Sequence, residues 1–226
     1  MLEGYFAFVF FTIWLRFADF HYKSTDYEQV DLFLQKYQAD FMTLLDRYLQ
    51  QRRIGMAIPH VPAQARLLDV GCHHGELLWK LRRLIDSGTG IDPLCDNKKL
   101  SDNICLIKGY FPGAAPGDIL YHCITALAII EHIPASNQTE FLDACASKLL
   151  PKGKLIVSVP DASVDRILEI LKRFRLIAGM RLEEHYGFNA DETVPLAKKS
   201  GFTLILHKKF QLGLNNLFVF EKAHEG

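Results

Sequence analysis

The run Leu67-Leu68-Asp69-Val70-Gly71-Cys72-His73-His74-Gly75 constrains this chain more than any other stretch. Leu67 to Val70 reads as a strand buried on both faces, the pattern of a parallel sheet. Gly71 lets the chain turn sharply and lets a ligand approach the backbone closely. A helical pattern from Glu76 to Ile85 follows, its free N–H groups turned toward the same point. Strand, glycine turn and helix together open a βαβ unit that binds its ligand at the carboxyl edge of the sheet.

The sequence beyond repeats that alternation. Strands are expected at Thr89–Ile91, Ile104–Ile107, Tyr121–Ala126 and Lys154–Val159, the last ended by Pro160. Helices are expected at Asn137–Leu149, Val164–Ile177 and Ala190–Lys199. Phe202–His207 and Leu217–Glu221 have no helix between them, so they cannot both run parallel to the rest and read as an antiparallel pair. Asp92 closes the second strand, 23 positions after Asp69. That spacing suits a carboxylate accepting ribose hydroxyls; the competing reading of Asp92-Pro93 is a plain turn.

The 226 residues suffice for one α/β domain with a sizeable core. Twenty-six basic and 26 acidic side chains cancel, so net charge argues for neither nucleic acid nor an anionic membrane. Cys72, Cys95, Cys105, Cys123 and Cys145 form no CxxC pair and read as reduced thiols of a cytoplasmic protein. Tyr5 to Leu15 is an aromatic apolar run too short to span a bilayer, and it lacks the basic flank of a secretory signal. It reads as a buried helix or strand, an interfacial anchor, or a start placed too far upstream; the expectation is that it packs on the domain or on a partner, as in a homodimer. Tyr27 to Gln51 reads as an amphipathic helix, with Gln51, Arg52 and Arg53 at its end. Residues 1–60 are thus expected to pack on a domain spanning 61–226.

LLDVGCxxG, then GIDP, ITALAIIEHIP and LLPKGKLIVSVP, in that order from Arg66 onward, resemble the successive motifs of small class I S-adenosylmethionine-dependent methyltransferases. The Glu-His pair is similar to that of ubiquinone-pathway O-methyltransferases. The resemblance implies a Rossmann-like α/β fold: a seven-stranded sheet, mostly parallel with an antiparallel C-terminal strand, and helices on both faces. It implies S-adenosylmethionine as cofactor. Asp69, Gly71, Cys72, His73 and Gly75 would frame its methionine end, and Asp92 with Pro93 its ribose. Tyr110 would meet adenine, with Phe111 an alternative, and Ala126 and Leu127 would lie beside the cofactor. A dinucleotide dehydrogenase would more often show GxGxxG, which Gly71 to Glu76 does not provide.

The chain departs from the family pattern at four places. His73 stands at the middle glycine of the loop, Tyr110 where an Asp is common, Tyr121-His122 where Phe-Asp is usual, and Ala128 replaces an acidic residue. Histidine tolerates positive φ better than most residues, so the expectation is that the loop forms and still binds cofactor.

His132 is the first candidate base, because imidazole titrates near neutrality. The bland role, in which Glu131 and His132 orient the next helix, is given precedence. His185, beside Tyr186, is a second candidate in the segment where the family builds its substrate lid. No metal site is expected, since the spacing of Glu131, His132 and His185 is not diagnostic. The leading expectation is methyl transfer to oxygen or carbon of a small molecule, with neither nucleic acid as partner nor a stable membrane span. The alternative is a catalytically degenerate scaffold acting as a binding module.

Overall fold

The computed structural model of the chain describes residues 47–161 and 189–223. Two compact units divide the chain, Met1–Leu49 and Gln50–Gly226. Of the first, only helical residues 47–49 are described. The aromatic run Tyr5–Leu15, most of the expected helix Tyr27–Gln51, the expected helix Val164–Ile177 and His185 lie outside the described residues.

In the second unit, residues 50–57 are helical and lead into a 3-10 turn, Ile58–His60. Eight strands follow: β1 (Arg66–Val70), β2 (Ser87–Asp92), β3 (Lys98–Ser101), β4 (Ile104–Lys108), β5 (Tyr121–Leu127), β6 (Leu149–Pro160), β7 (Phe202–Phe210) and β8 (Asn215–Lys222). Among the described residues, three helices lie between them: α1 (Glu76–Leu81), α2 (Ala135–Lys148) and α3 (Thr193–Lys199). The sheet order is β3-β4-β2-β1-β5-β6-β8-β7. β4, β2, β1, β5 and β6 run parallel, and β8 runs antiparallel to both β6 and β7.

The sheet has one strand more than the seven expected. β3 pairs antiparallel with β4 at the edge, and its sequence, Lys-Lys-Leu-Ser, has no apolar alternation to announce it. β6 starts at Leu149, not at Lys154: the Pro151-Lys152-Gly153 stretch is carried inside the strand, with a register shift opposite Tyr121 and Cys123. α1 stops at Leu81, short of Ile85.

Successive strand residues feed opposite faces, as the pleat dictates. Leu68, Ile124, Leu155, Val157, Phe218 and Phe220 join one core, which also takes Phe141 and Leu142 of α2. Leu67, Cys123, Ile156 and Val219 join the other, with Leu77, Leu78 and Leu81 of α1 and with Ile54 and Ala57. Burial on both faces explains why these strands read as continuous apolar runs. β1 lies between β2 and β5, where the winding of the sheet reverses, and such a switch point opens a crevice at the carboxyl ends of the strands.

Candidate cofactor and active site

The loop after β1 alternates left-handed residues: Gly71 at φ 76°, His73 at 49° and Gly75 at 79°. His73 therefore takes the backbone shape of the glycine it replaces. Its imidazole is exposed and lies against that of His74, ring centroids 3.8 Å apart. The loop is tied to β2 by Gly71 N–H donating to Ile91 O at 2.8 Å. Asp92 completes the tie: its Oδ2 accepts from His73 N–H at 2.9 Å and its Oδ1 from Leu94 N–H at 2.7 Å. Asp92 is thus more than a turn residue before Pro93. It is 8% exposed and holds two loops together, and each oxygen keeps a lone pair for a ligand.

Gly75 serves another purpose. A Cβ there would come within 2.5 Å of Leu100 Cδ1, so the bare face of Gly75 is packed beneath β3 and stands clear of the crevice. Cys72 is buried beside it, and burial pushes its thiol well above the ordinary range, so Cys72 is inert packing.

A small cleft opens at this point, of about 50 Å³, lined by Gln50, Arg53, Ile54, Asp69, Gly71, Cys72, Glu76, Leu77 and Leu127. Four of these, Asp69, Gly71, Cys72 and Leu127, were expected from the sequence. Arg53 was not, because it read as the charged end of a helix. The helical residues run on to 57, so Arg53 lies mid-helix and is the one cation among the lining residues. Ile54 and Ala57 continue the apolar stripe past Arg53, which marks in the sequence that the helix does not end there. A guanidinium in such a cleft matches a carboxylate.

Asp69 Oδ1 accepts from Thr125 Oγ1 at 2.6 Å. Burial, opposed by this bond and aided by the charge of Asp92, pushes the Asp69 carboxyl up to about 7. The folded chain then holds this proton more tightly than the unfolded chain does. Its stabilising effect is complete below the ordinary 3.8 and is lost as pH rises through about 7. Asp69→Asn keeps an acceptor for Thr125 and cannot ionise. Melting curves from pH 4 to 8 are expected to show wild type losing Tm relative to the variant as pH rises; parallel curves would refute the assignment.

At the adjacent edge, β2 and β4 pair Asp92 with Lys108. Two residues past the end of each strand stand Leu94 and Tyr110, 81% and 78% exposed. Phe111 turns the other way, edge-on to Phe141 at 5.5 Å, leaving Tyr110 as the aromatic open to a ligand. Ala126 is fully buried in the core and offers the crevice no side chain. Glu131 and half-buried His132 lie in a 3-10 turn, Ile130–His132, just past the end of β5. Among the described residues, no group of three or more His, Cys, Asp and Glu side chains is placed to hold a metal ion. No described helix is long and apolar enough to cross a membrane.

A doubly wound sheet with a glycine loop, an acidic β2 terminus and an antiparallel β8 is the class I methyltransferase fold. A methyltransferase domain family matches residues 33–207, and the chain belongs to it. The ubiquinone biosynthesis O-methyltransferase of Xanthomonas axonopodis pv. citri is 34% identical over 106 residues, 43% of this chain and 44% of that protein. That of Xanthomonas euvesicatoria pv. vesicatoria is 33% identical over 107 residues, 42% and 43% of the two chains. The matches span less than half the length of either relative. Among solved structures, the 1,6-didemethyltoxoflavin-N1-methyltransferase of Burkholderia thailandensis aligns with TM-score 0.60 at 13% identity, over 89% of this chain and 92% of that one. The N-methyltransferase NodS of Bradyrhizobium japonicum WM9, solved with S-adenosylhomocysteine, aligns with TM-score 0.55 at 16% identity, over 79% and 87%. At these identities the likeness is one of fold.

S-adenosylmethionine is the cofactor of this class, and the residues present fit it. The loop keeps its left-handed alternation with His73 turned outward, and Asp92 lies buried at the strand end with acceptor capacity to spare.

Proposed function

We propose that this chain transfers the methyl group of S-adenosylmethionine to an oxygen of a small phenol-like acceptor. The observation that carries the reading is the clasp of Asp92 on His73 N–H, which preserves the nucleoside-binding loop despite the lost glycine. Oxygen as the acceptor atom is supported by the two curated relatives, both O-methyltransferases by name.

The cofactor brings a methyl group already activated on a sulfonium sulfur, so the protein mainly aligns and desolvates. Asp92 takes the ribose hydroxyls, Tyr110 and Leu94 flank the base, and Arg53 meets the carboxylate. Leu127 presents an apolar wall that keeps water from the reacting centre. His132, past the carboxyl end of β5, receives the acceptor's hydroxyl proton, with Glu131 in the same turn. The acceptor is a small molecule of the cytoplasm, and no nucleic acid is required.

The test supplies methyl-labelled S-adenosylmethionine with a catechol, a β-diketone or an aliphatic amine. Label is expected in a methyl ether of the catechol, and His132→Gln is expected to slow transfer without changing affinity for S-adenosylhomocysteine. Label in the β-diketone carbon or in the amine would overturn the O-methyl assignment. Bound S-adenosylhomocysteine with no label in any acceptor would move the chain to the binding-module reading.

A further inference from the structure

Ala128 follows β5 with φ 58°, a left-handed conformation that alanine rarely adopts. Its N–H is pinned on fully buried Ser158, 2.9 Å from the carbonyl oxygen and 3.1 Å from the hydroxyl. The turn fixed in this way carries the next side chain, Ile129, across the end of β1. A Cβ on Gly71 would fall 2.0 Å from Ile129 Cδ1 and 2.8 Å from its Cγ1, so the isoleucine lies flat on the bare face of the glycine. The rest of Ile129 packs against the core that holds α2, and its carbonyl accepts from His132 N–H at 3.0 Å. A strained residue, held by two hydrogen bonds, thus delivers one apolar side chain onto the glycine that a ligand needs to touch. Strain kept by its surroundings is a mark of functional positions.

We infer that Ile129 is a positioning residue that covers Gly71 and must turn aside before the aminoacyl end of the cofactor can seat on the loop. The inference rests on the cofactor proposed above. A β-branched side chain has few χ1 choices, so the cover has discrete closed and open positions and not a graded one. Apparent affinity is then reduced by the fraction of molecules in which the cover is open.

The experiment follows association and dissociation of S-adenosylhomocysteine by stopped flow, for wild type, Ile129→Val and Ile129→Ala. Valine removes only the Cδ1 methyl nearest Gly71 and retains most of the core packing, so it tests the idea even where alanine folds poorly. Association is expected to quicken in the order isoleucine, valine, alanine. The gain reaches about tenfold for a cover closed nine-tenths of the time, with dissociation unchanged. Equal association rates in all three proteins, or weaker binding through faster dissociation, would overturn it. Failure of all three to bind would instead overturn the cofactor reading on which it rests.

Discussion

Gly71→Ala is expected to cost about 2–5 kcal/mol of stability and to abolish measurable binding of S-adenosylhomocysteine. Two separate penalties add. The backbone at φ 76° is left-handed, which costs an L-residue on the order of 1–2 kcal/mol. The new methyl would also sit 2.0 Å from Ile129 Cδ1, and forcing an extra carbon into packed surroundings costs about 1–3 kcal/mol more. A double-mutant cycle separates them. Gly71→Ala combined with Ile129→Ala relieves the collision and leaves the backbone strain, so urea denaturation should return the packing share alone. Strict additivity of the two substitutions would contradict the contact between Gly71 and Ile129.

Asp92→Ala is expected to weaken S-adenosylhomocysteine by roughly a hundredfold or more, equivalent to about 2.7 kcal/mol, and to destabilise the fold by about 2–4 kcal/mol. The stability loss arises because two backbone donors, His73 N–H at 2.9 Å and Leu94 N–H at 2.7 Å, lose a charged acceptor together. The binding loss arises twice over, from the missing ribose partner and from a loop no longer held in shape. Asp92→Asn presents one acceptor and one donor where two acceptors are needed, so it should fall between wild type and alanine in stability. Calorimetric titration and thermal melts of both variants check this. An Asp92→Ala protein with wild-type affinity would remove Asp92 from the site.

Much of this was legible in the sequence because the signals are local. Leu67 to Gly75 announces a strand and a turn through apolarity and glycine alone, and Asp92 is found by counting from Asp69. The backbone expectation for His73 also holds, since φ 49° is open to histidine. What the sequence concealed is set by tertiary contact. β3 is a strand because β4 offers it an edge, not because Lys98 to Ser101 alternate. Gly75 reads as a ligand-facing glycine, and only the position of Leu100 shows it to be a packing glycine. Arg53 reads as the end of a helix until Ile54 and Ala57 are seen to continue the buried stripe. Ile129 has no motif of its own; its role comes from the Ala128 turn and from Ser158, thirty positions away. The ends of strands are readable as motifs, whereas the side chains that cross from one strand end to the next are not.

Calorimetric titration of the full chain with S-adenosylhomocysteine, run beside NAD, tests whether the His73-containing loop forms a nucleoside site for S-adenosylmethionine. Saturable one-to-one binding of S-adenosylhomocysteine is expected, with a rise in Tm that grows with ligand concentration, and no response to NAD. Absence of binding at millimolar S-adenosylhomocysteine, or preferential binding of NAD, would rule that site out.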